Sequence, residues 1–197
     1  MRAFLVSAVL CLCGIARAET TAVPVHTNLV CAVQHAIHHK SPLWTATECE
    51  RASIAFGLTT SPKLTLAIAV NESDLRPNVV AWHHKGRVAD VGLLGVRCRL
   101  GPGDRCENWP VRGFTIEELK DIDTNIAAGE KVLRKKKRLL GKRYLHGYSG
   151  STRDRGYADR ISAIMAALGG VEVRSSSPRV RKLISQIVAA VRKLKGL

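Results

Sequence analysis

Cys31, Cys49, Cys98 and Cys106 constrain this chain more than any other feature. Of the six cysteines, Cys11 and Cys13 fall in the leader read below; the four that survive its cleavage read as two disulfides, with three possible pairings, each tying different segments together. Cys98 and Cys106 flank Arg99-Leu-Gly-Pro-Gly-Asp-Arg105, whose Gly-Pro-Gly turn brings the ends together. We therefore pair Cys98 with Cys106 and Cys31 with Cys49. A zinc site would compete for the same residues, but the sequence has no Cys-x-x-Cys step.

Disulfides need an oxidising compartment, and residues 1–18 read as a secretory signal. Arg2 supplies the charge, Ala3 to Ile15 the apolar core, and Ala16-Arg17-Ala18 small residues around a cut before Glu19. Lipidation at Cys13 is the alternative, and bulky Leu12 in front of it argues against that. No later stretch reaches the roughly 18–20 apolar residues that span a bilayer. The reading is a periplasmic or secreted protein with one domain at 19–174, then a linker and basic helix at 175–197.

The chain holds 31 Lys+Arg against 16 Asp+Glu, a net +15, or +13 without Arg2 and Arg17. Such a charge favours a polyanionic partner: a cell-wall polymer, an anionic membrane surface or nucleic acid. Export argues against nucleic acid.

Apolar spacing predicts a mainly α fold, with helices near 28–39, 46–57, 62–73, 115–140, 153–168 and 179–195. Thr115-Ile-Glu-Glu118 has the form of a capping box and predicts the start of the fourth. Behind it Leu119, Ile122, Ile126, Gly129 and Leu133 share a face, and Gly129 would let another helix approach closely. Residues 74–114 show no sustained period and contain Pro77, Pro102, Pro110, Trp82 and Trp109. They read as an irregular or small-β loop region, suited to a substrate cleft. In the last segment Val180, Leu183, Ile184, Ile187, Val188, Val191 and Leu194 form one stripe among arginines and lysines. That helix either docks on the domain or lies on an anionic membrane.

Chemistry enters at the end of the third helix. Leu64 and Ile68 lie one and two turns before Glu72, so the three share a face. A carboxyl at the end of an apolar stripe loses water, which raises its pKa and suits it to act as a general acid. The alternative is an acid that merely caps a turn. Tyr148, beside Gly147 and close to Gly150, reads as part of a ligand turn, whereas Tyr157 falls on a packing stripe with Ile161 and Ile164. Trp82 and Trp109 suit sugar stacking or a cleft rim. His35 and His39 stand one turn apart without a third ligand at a compelling spacing, so neither a metal nor a cofactor is assigned.

In order along the chain stand Leu66-Ala-Ile-Ala-Val-Asn-Glu72-Ser73 with Pro77-Asn78, then Val91-Gly92-Leu93-Leu94-Gly95, Asp123-Thr-Asn125-Ile-Ala-Ala-Gly129, and His146-Gly-Tyr148-Ser149-Gly150 with Tyr157. This series, over roughly residues 50–170, resembles the soluble lysozyme-like lytic transglycosylases of the bacterial envelope. Gly95 stands where that family usually has Gln, and Ser149 where it has Asn.

The resemblance implies a lysozyme-like fold and peptidoglycan strands as substrate. Glu72 would be the catalytic residue, and Ser73, Gly92, Leu94, Tyr148 and Ser149 would line the substrate. Ser73 would hold the N-acetyl group, and Tyr148 would bond near Glu72 or the developing charge. Glu72 would protonate the bond between N-acetylmuramic acid and N-acetylglucosamine, then act as base while the muramic acid's own hydroxyl closes an anhydro end. Hydrolysis, as in goose-type lysozymes, would need a second carboxylate; Asp90 is the best-placed candidate, Asp74 the next. A non-catalytic cationic protein that grips envelope polymers is the reading from a different class.

Overall fold

Thr65 to Val70 are buried without a break, and a helix apolar on every side has to run through the middle of a protein. The computed structural model describes residues 25–39, 43–148, 155–171 and 177–196, and it is organised round that helix, α3 (Pro62–Ser73). Pro62 sits in its first turn, where a missing N–H costs nothing. Asp74 ends it in the left-handed conformation, φ 51°. Glu72 therefore stands on the last turn of the most deeply buried helix.

Two helices precede it, α1 (Val25–Ile37) and α2 (Ala46–Gly57), which pack together. Cys31–Cys49 bridges them, with Cα atoms 5.4 Å apart. Beyond α3 a three-stranded antiparallel sheet forms from β1 (Val80–His83), β2 (Val88–Val91) and β3 (Val96–Arg99). Its register sets Asp90 between Ala81 on one side and Arg97 on the other. Cys98–Cys106, Cα atoms 5.1 Å apart, ties β3 to the segment that follows. Both pairings agree with the sequence reading, and the 74–114 region takes its small-β form.

The long helix α4 spans Ile122–Leu140, not 115–140. The box at Thr115 does form, Thr115 and Glu118 bonding reciprocally, but it closes a short 3-10 turn over Glu118–Lys120. Asp121 is then extended and caps α4, accepting from the Thr124 N–H at 3.0 Å. Gly129 does admit a close neighbour, but a different one. A Cβ there would lie 2.8 Å from the Cβ of Leu94, so the space belongs to the loop between β2 and β3 and not to a helix.

After α5 (Tyr144–Tyr148) and α6 (Arg155–Ala167), the last helix, α7 (Pro178–Lys195), packs across α1 and α6. Val180, Leu183, Ile184, Ile187, Val188 and Val191 are buried there in the common core. Of the two uses open to this amphipathic helix, docking is the one found, with Leu194 of the stripe left exposed. Among the described residues no helix is long and apolar enough to cross one. The 1–18 signal reading and most of the linker fall outside the described residues.

Because Ile187 is fully buried in this core, Ile187→Ala should cost about 2–5 kcal/mol in urea unfolding. A loss of only a few tenths would mean that α7 is an appendage.

Candidate active site

Glu72 opens onto a cleft whose walls come from β2, β3, the Asn108-Trp-Pro110 turn, α4 and α5. Around it the β2–β3 loop folds back over the end of α3. Ser73, buried beside Glu72, shares its hydroxyl between the carbonyls of Ala69 (2.9 Å) and Leu93 (3.0 Å). Gly95 lies directly over the acid: its φ is 56°, and a Cβ there would stand 3.0 Å from Glu72 Oε2. Only glycine takes that backbone conformation without strain. A Gln in its place would crowd the carboxyl.

Burial pushes the Glu72 carboxyl above the usual carboxylate range. Hydrogen bonds from Tyr157 and Asn71 pull the other way, the Asp90 charge adds to the rise, and Arg160 subtracts from it. The Asn71 amide sits 3.3 Å from Oε1 and receives Arg160 Nε on its own oxygen at 3.4 Å. Tyr157 is thus a partner of the acid and not only the packing residue its stripe suggested. Burial, reinforced by Glu72, holds the Tyr148 and Tyr157 hydroxyls protonated, so both remain donors. Tyr148 donates to the Leu94 carbonyl at 2.8 Å, and its ring lies 6.3 Å from that of Tyr157.

Asp90 lines the same cleft. Arg97 binds it with two nitrogens, Nε to Oδ1 at 2.8 Å and Nη2 to Oδ2 at 2.9 Å, and His83 Nε2 stands 2.9 Å from Oδ2. The cleft therefore contains one partly dehydrated carboxyl and one carboxylate clamped by a guanidinium. Separating two acids by environment in this way is how sites assign an acid role to one and a charge role to the other.

Several expected substrate contacts serve the framework instead. Ser73 is used up by two carbonyls, so it has no hydroxyl proton left for an N-acetyl group. Gly92, φ 73°, is buried, and a Cβ there would meet the Leu119 carbonyl at 2.8 Å. Leu94 is fully buried. Tyr148 does line the cleft, though its hydroxyl bonds Leu94 and not Glu72. Ser149 lies outside the described residues. Asp74, the next carboxylate considered, is held at the end of α3 by Arg179 at 2.8 Å and is not among the cleft residues. Trp109 lines the cleft and Trp82 does not.

Arg97 and His83 were not singled out from sequence. A signal was present: Val88–Val91 and Val96–Arg99 flank Gly92-Leu-Leu-Gly95, and closing that hairpin sets Asp90 opposite Arg97.

A larger groove, about 540 Å³ against about 200 Å³ at Glu72, runs between α2 and α4 beside Ile54 and Leu58. Its Arg51 is paired with both Asp121 and Asp123, and its Glu130 accepts from the Thr60 hydroxyl. The carboxyl whose pKa burial raises stands in the smaller cleft, at Glu72. Compared with models of known families, with curated proteins and with solved structures, the chain has no match.

The raised pKa has a stability consequence. The folded state holds the Glu72 proton more tightly than the unfolded chain does, so its favourable contribution is complete at acid pH and is lost as pH rises through the folded value. Glu72→Gln, which cannot ionise, should melt higher than the parent at pH 7, with the gain vanishing near pH 4. An unchanged difference across that range would show that the carboxyl is not dehydrated.

Proposed function

We propose that the protein is an exported, lysozyme-like peptidoglycan lytic transglycosylase. The observation that carries this reading is the pairing of Glu72, dehydrated at a cleft wall, with a clamped Asp90 in the same cleft. Cleaving a β-linked sugar polymer requires a proton on the departing oxygen and negative charge near an oxocarbenium-like carbon. Glu72 supplies the proton, and the bond between N-acetylmuramic acid and N-acetylglucosamine breaks. The muramic acid's own hydroxyl then gives its proton to the Glu72 carboxylate and bonds the anomeric carbon. The acid is restored, no water is consumed, and the product carries an anhydro end.

Hydrolysis is the second reading, favoured by the presence of Asp90. A base that activates water needs a free lone pair directed at it. Three nitrogens, two of Arg97 and one of His83, already surround the Asp90 carboxylate, which supports an electrostatic role and the lytic outcome. The net charge of +15 suits an anionic envelope polymer as partner.

Glu72→Gln should lower muropeptide release from purified peptidoglycan by about 10²–10⁴-fold. Digestion at the parent rate would refute the assignment and leave a cationic binding protein. Mass spectrometry of the parent's products should find anhydro ends; reducing ends would move the reading to hydrolysis. Because the active form is the protonated one and its pKa is raised, activity should persist above the ordinary carboxylate range and fall on the alkaline side. Tyr157→Phe removes a bond that favours the anion, so it should carry that fall to higher pH.

A further inference from the structure

Trp109 belongs to two depressions at once. One is the Glu72 cleft, to which α4 contributes Val132 and Lys136; the other is lined by Trp109 with Lys131, Arg134, Lys135 and Arg138. Those four cations are spaced i, i+3, i+4 and i+7, so they stand on one face of α4. Turning the helix slightly thus takes the surface from the scissile-bond cleft to a cationic ledge, with one tryptophan at the joint.

The ledge is not neutralised from within. No Asp or Glu occurs between Glu130 and Asp154. Among the described residues, no carboxylate lies within ion-pair distance of Lys131, Lys135 or Arg138. Arg134 comes only to 3.9 Å from Glu130, whose oxygen already takes the Thr60 hydroxyl at 2.5 Å. Four like charges on adjacent turns repel one another, so this face would gain from an external anion. Trp109 is 53 % exposed, with Lys135 Nζ 4.4 Å over its ring. Its turn is nonetheless held firmly: Asn108 accepts from the Arg99 N–H at 2.6 Å and donates to the Arg97 carbonyl at 2.7 Å. A half-exposed aromatic on a fixed turn is a platform, and the Lys135 ammonium over it makes the platform suit an anion-bearing ligand.

We propose that this ledge is a subsite for the carboxylate-bearing peptide that hangs from the glycan being cut. The proposal rests on the glycosidase reading of Glu72 and adds a specificity determinant to it. Contiguity decides between anion sources. A carboxylate attached to the bound strand arrives beside the cleft at high effective concentration, whereas an independent phosphate polymer has no need of a site joined to it.

The test uses the full exported protein and the triple variant Lys131→Gln/Lys135→Gln/Arg138→Gln, none of whose positions lines the Glu72 cleft. Cleavage is compared on glycan strands carrying their peptides and on strands stripped of them by an amidase. The parent should prefer the peptide-bearing strands by about tenfold in kcat/KM, the order that a few half-exposed ion pairs provide. That preference should shrink as salt rises and the charges are screened. The triple variant should cut both substrates alike, at the parent's rate on stripped strands. Retained preference, or an equal loss on both substrates, overturns the proposal.

A binding arm keeps failure of the ledge separate from failure of the catalytic reading. Calorimetry with Glu72→Gln compares a disaccharide-peptide with the same disaccharide lacking its peptide. Tighter binding of the peptide form, abolished by the triple substitution, supports the ledge even if no cleavage is seen; equal binding refutes it. A teichoic-type phosphate polymer is the control. If it binds through the three cations and the disaccharide-peptide does not, the ledge serves an accessory polymer and the proposal falls.

Discussion

The Asn125 side chain is the interaction on which the site hangs. It is fully buried on α4 and uses its whole amide: Nδ2 donates to the carbonyls of Val91 (2.8 Å) and Leu119 (2.7 Å), and Oδ1 accepts from the Leu94 N–H (2.9 Å). A buried amide with no group left over stabilises, whereas one with an orphan would cost about 1–3 kcal/mol. These three bonds hold the β2–β3 loop against α4. The loop in turn places the Leu94 carbonyl before Tyr148, the Leu93 carbonyl on Ser73, and Gly95 over Glu72. Remove the amide and the cover on the acid has nothing to fix its height.

That architecture divides the electrostatics of the protein in two. At the end of α3 the charge is sparse and dry: one carboxyl shielded by a glycine and two tyrosines, with Arg160 acting on it both by its charge and through Asn71. One strand away the charge is paired, Asp90 with Arg97. Beyond Trp109 it is wet and unpaired along α4. Proton donation needs the first environment, because water would return the carboxyl to its ordinary acidity. Capture of an anionic polymer, as proposed, would need the last, where long-range attraction is strongest before contact. The two requirements conflict within one site, and here they are kept apart by a single tryptophan turn.

How much of this could be read from letters follows from how local each cause is. The run Leu66 to Val70 is apolar on every side, so a buried helix ending at Glu72 was legible, as was the Cys98–Cys106 closure across Gly-Pro-Gly. The start of α4 was not, because Thr115 to Glu118 has the same capping chemistry whether a long helix or one 3-10 turn follows. Gly129 announced a close approach without saying what approaches; the answer, Leu94, is distant in sequence. Ser73 and Leu94 were picked out by their place in a motif, yet a motif does not tell which atoms face inward. In both cases the chain uses the group to bind itself. Tyr157 is the converse: an apolar stripe predicted packing correctly, and hid that the hydroxyl at the ring's far end meets the acid.

The position of α7 follows from the same economy of buried surface. A helix with arginine or lysine at its edges and a continuous aliphatic stripe has two stable homes, a lipid surface or a protein groove. The helices it packs against, α1 and α6, carry Val30, Val33, Ile161 and Ile164, all buried in the common core. Its first turn also acts on the site: Arg179 bonds the Asp74 carboxylate at 2.8 Å and reaches the Asn71 carbonyl at 3.5 Å. Asp74 is the left-handed residue that ends α3, and His38 of the turn after α1 donates to its carbonyl. The terminus of α3 is therefore held from both α1 and α7, elements far apart in sequence. Glu72 owes its fixed position to that closure, since an acid on a fraying last turn would admit water and lose the dehydration that sets its pKa.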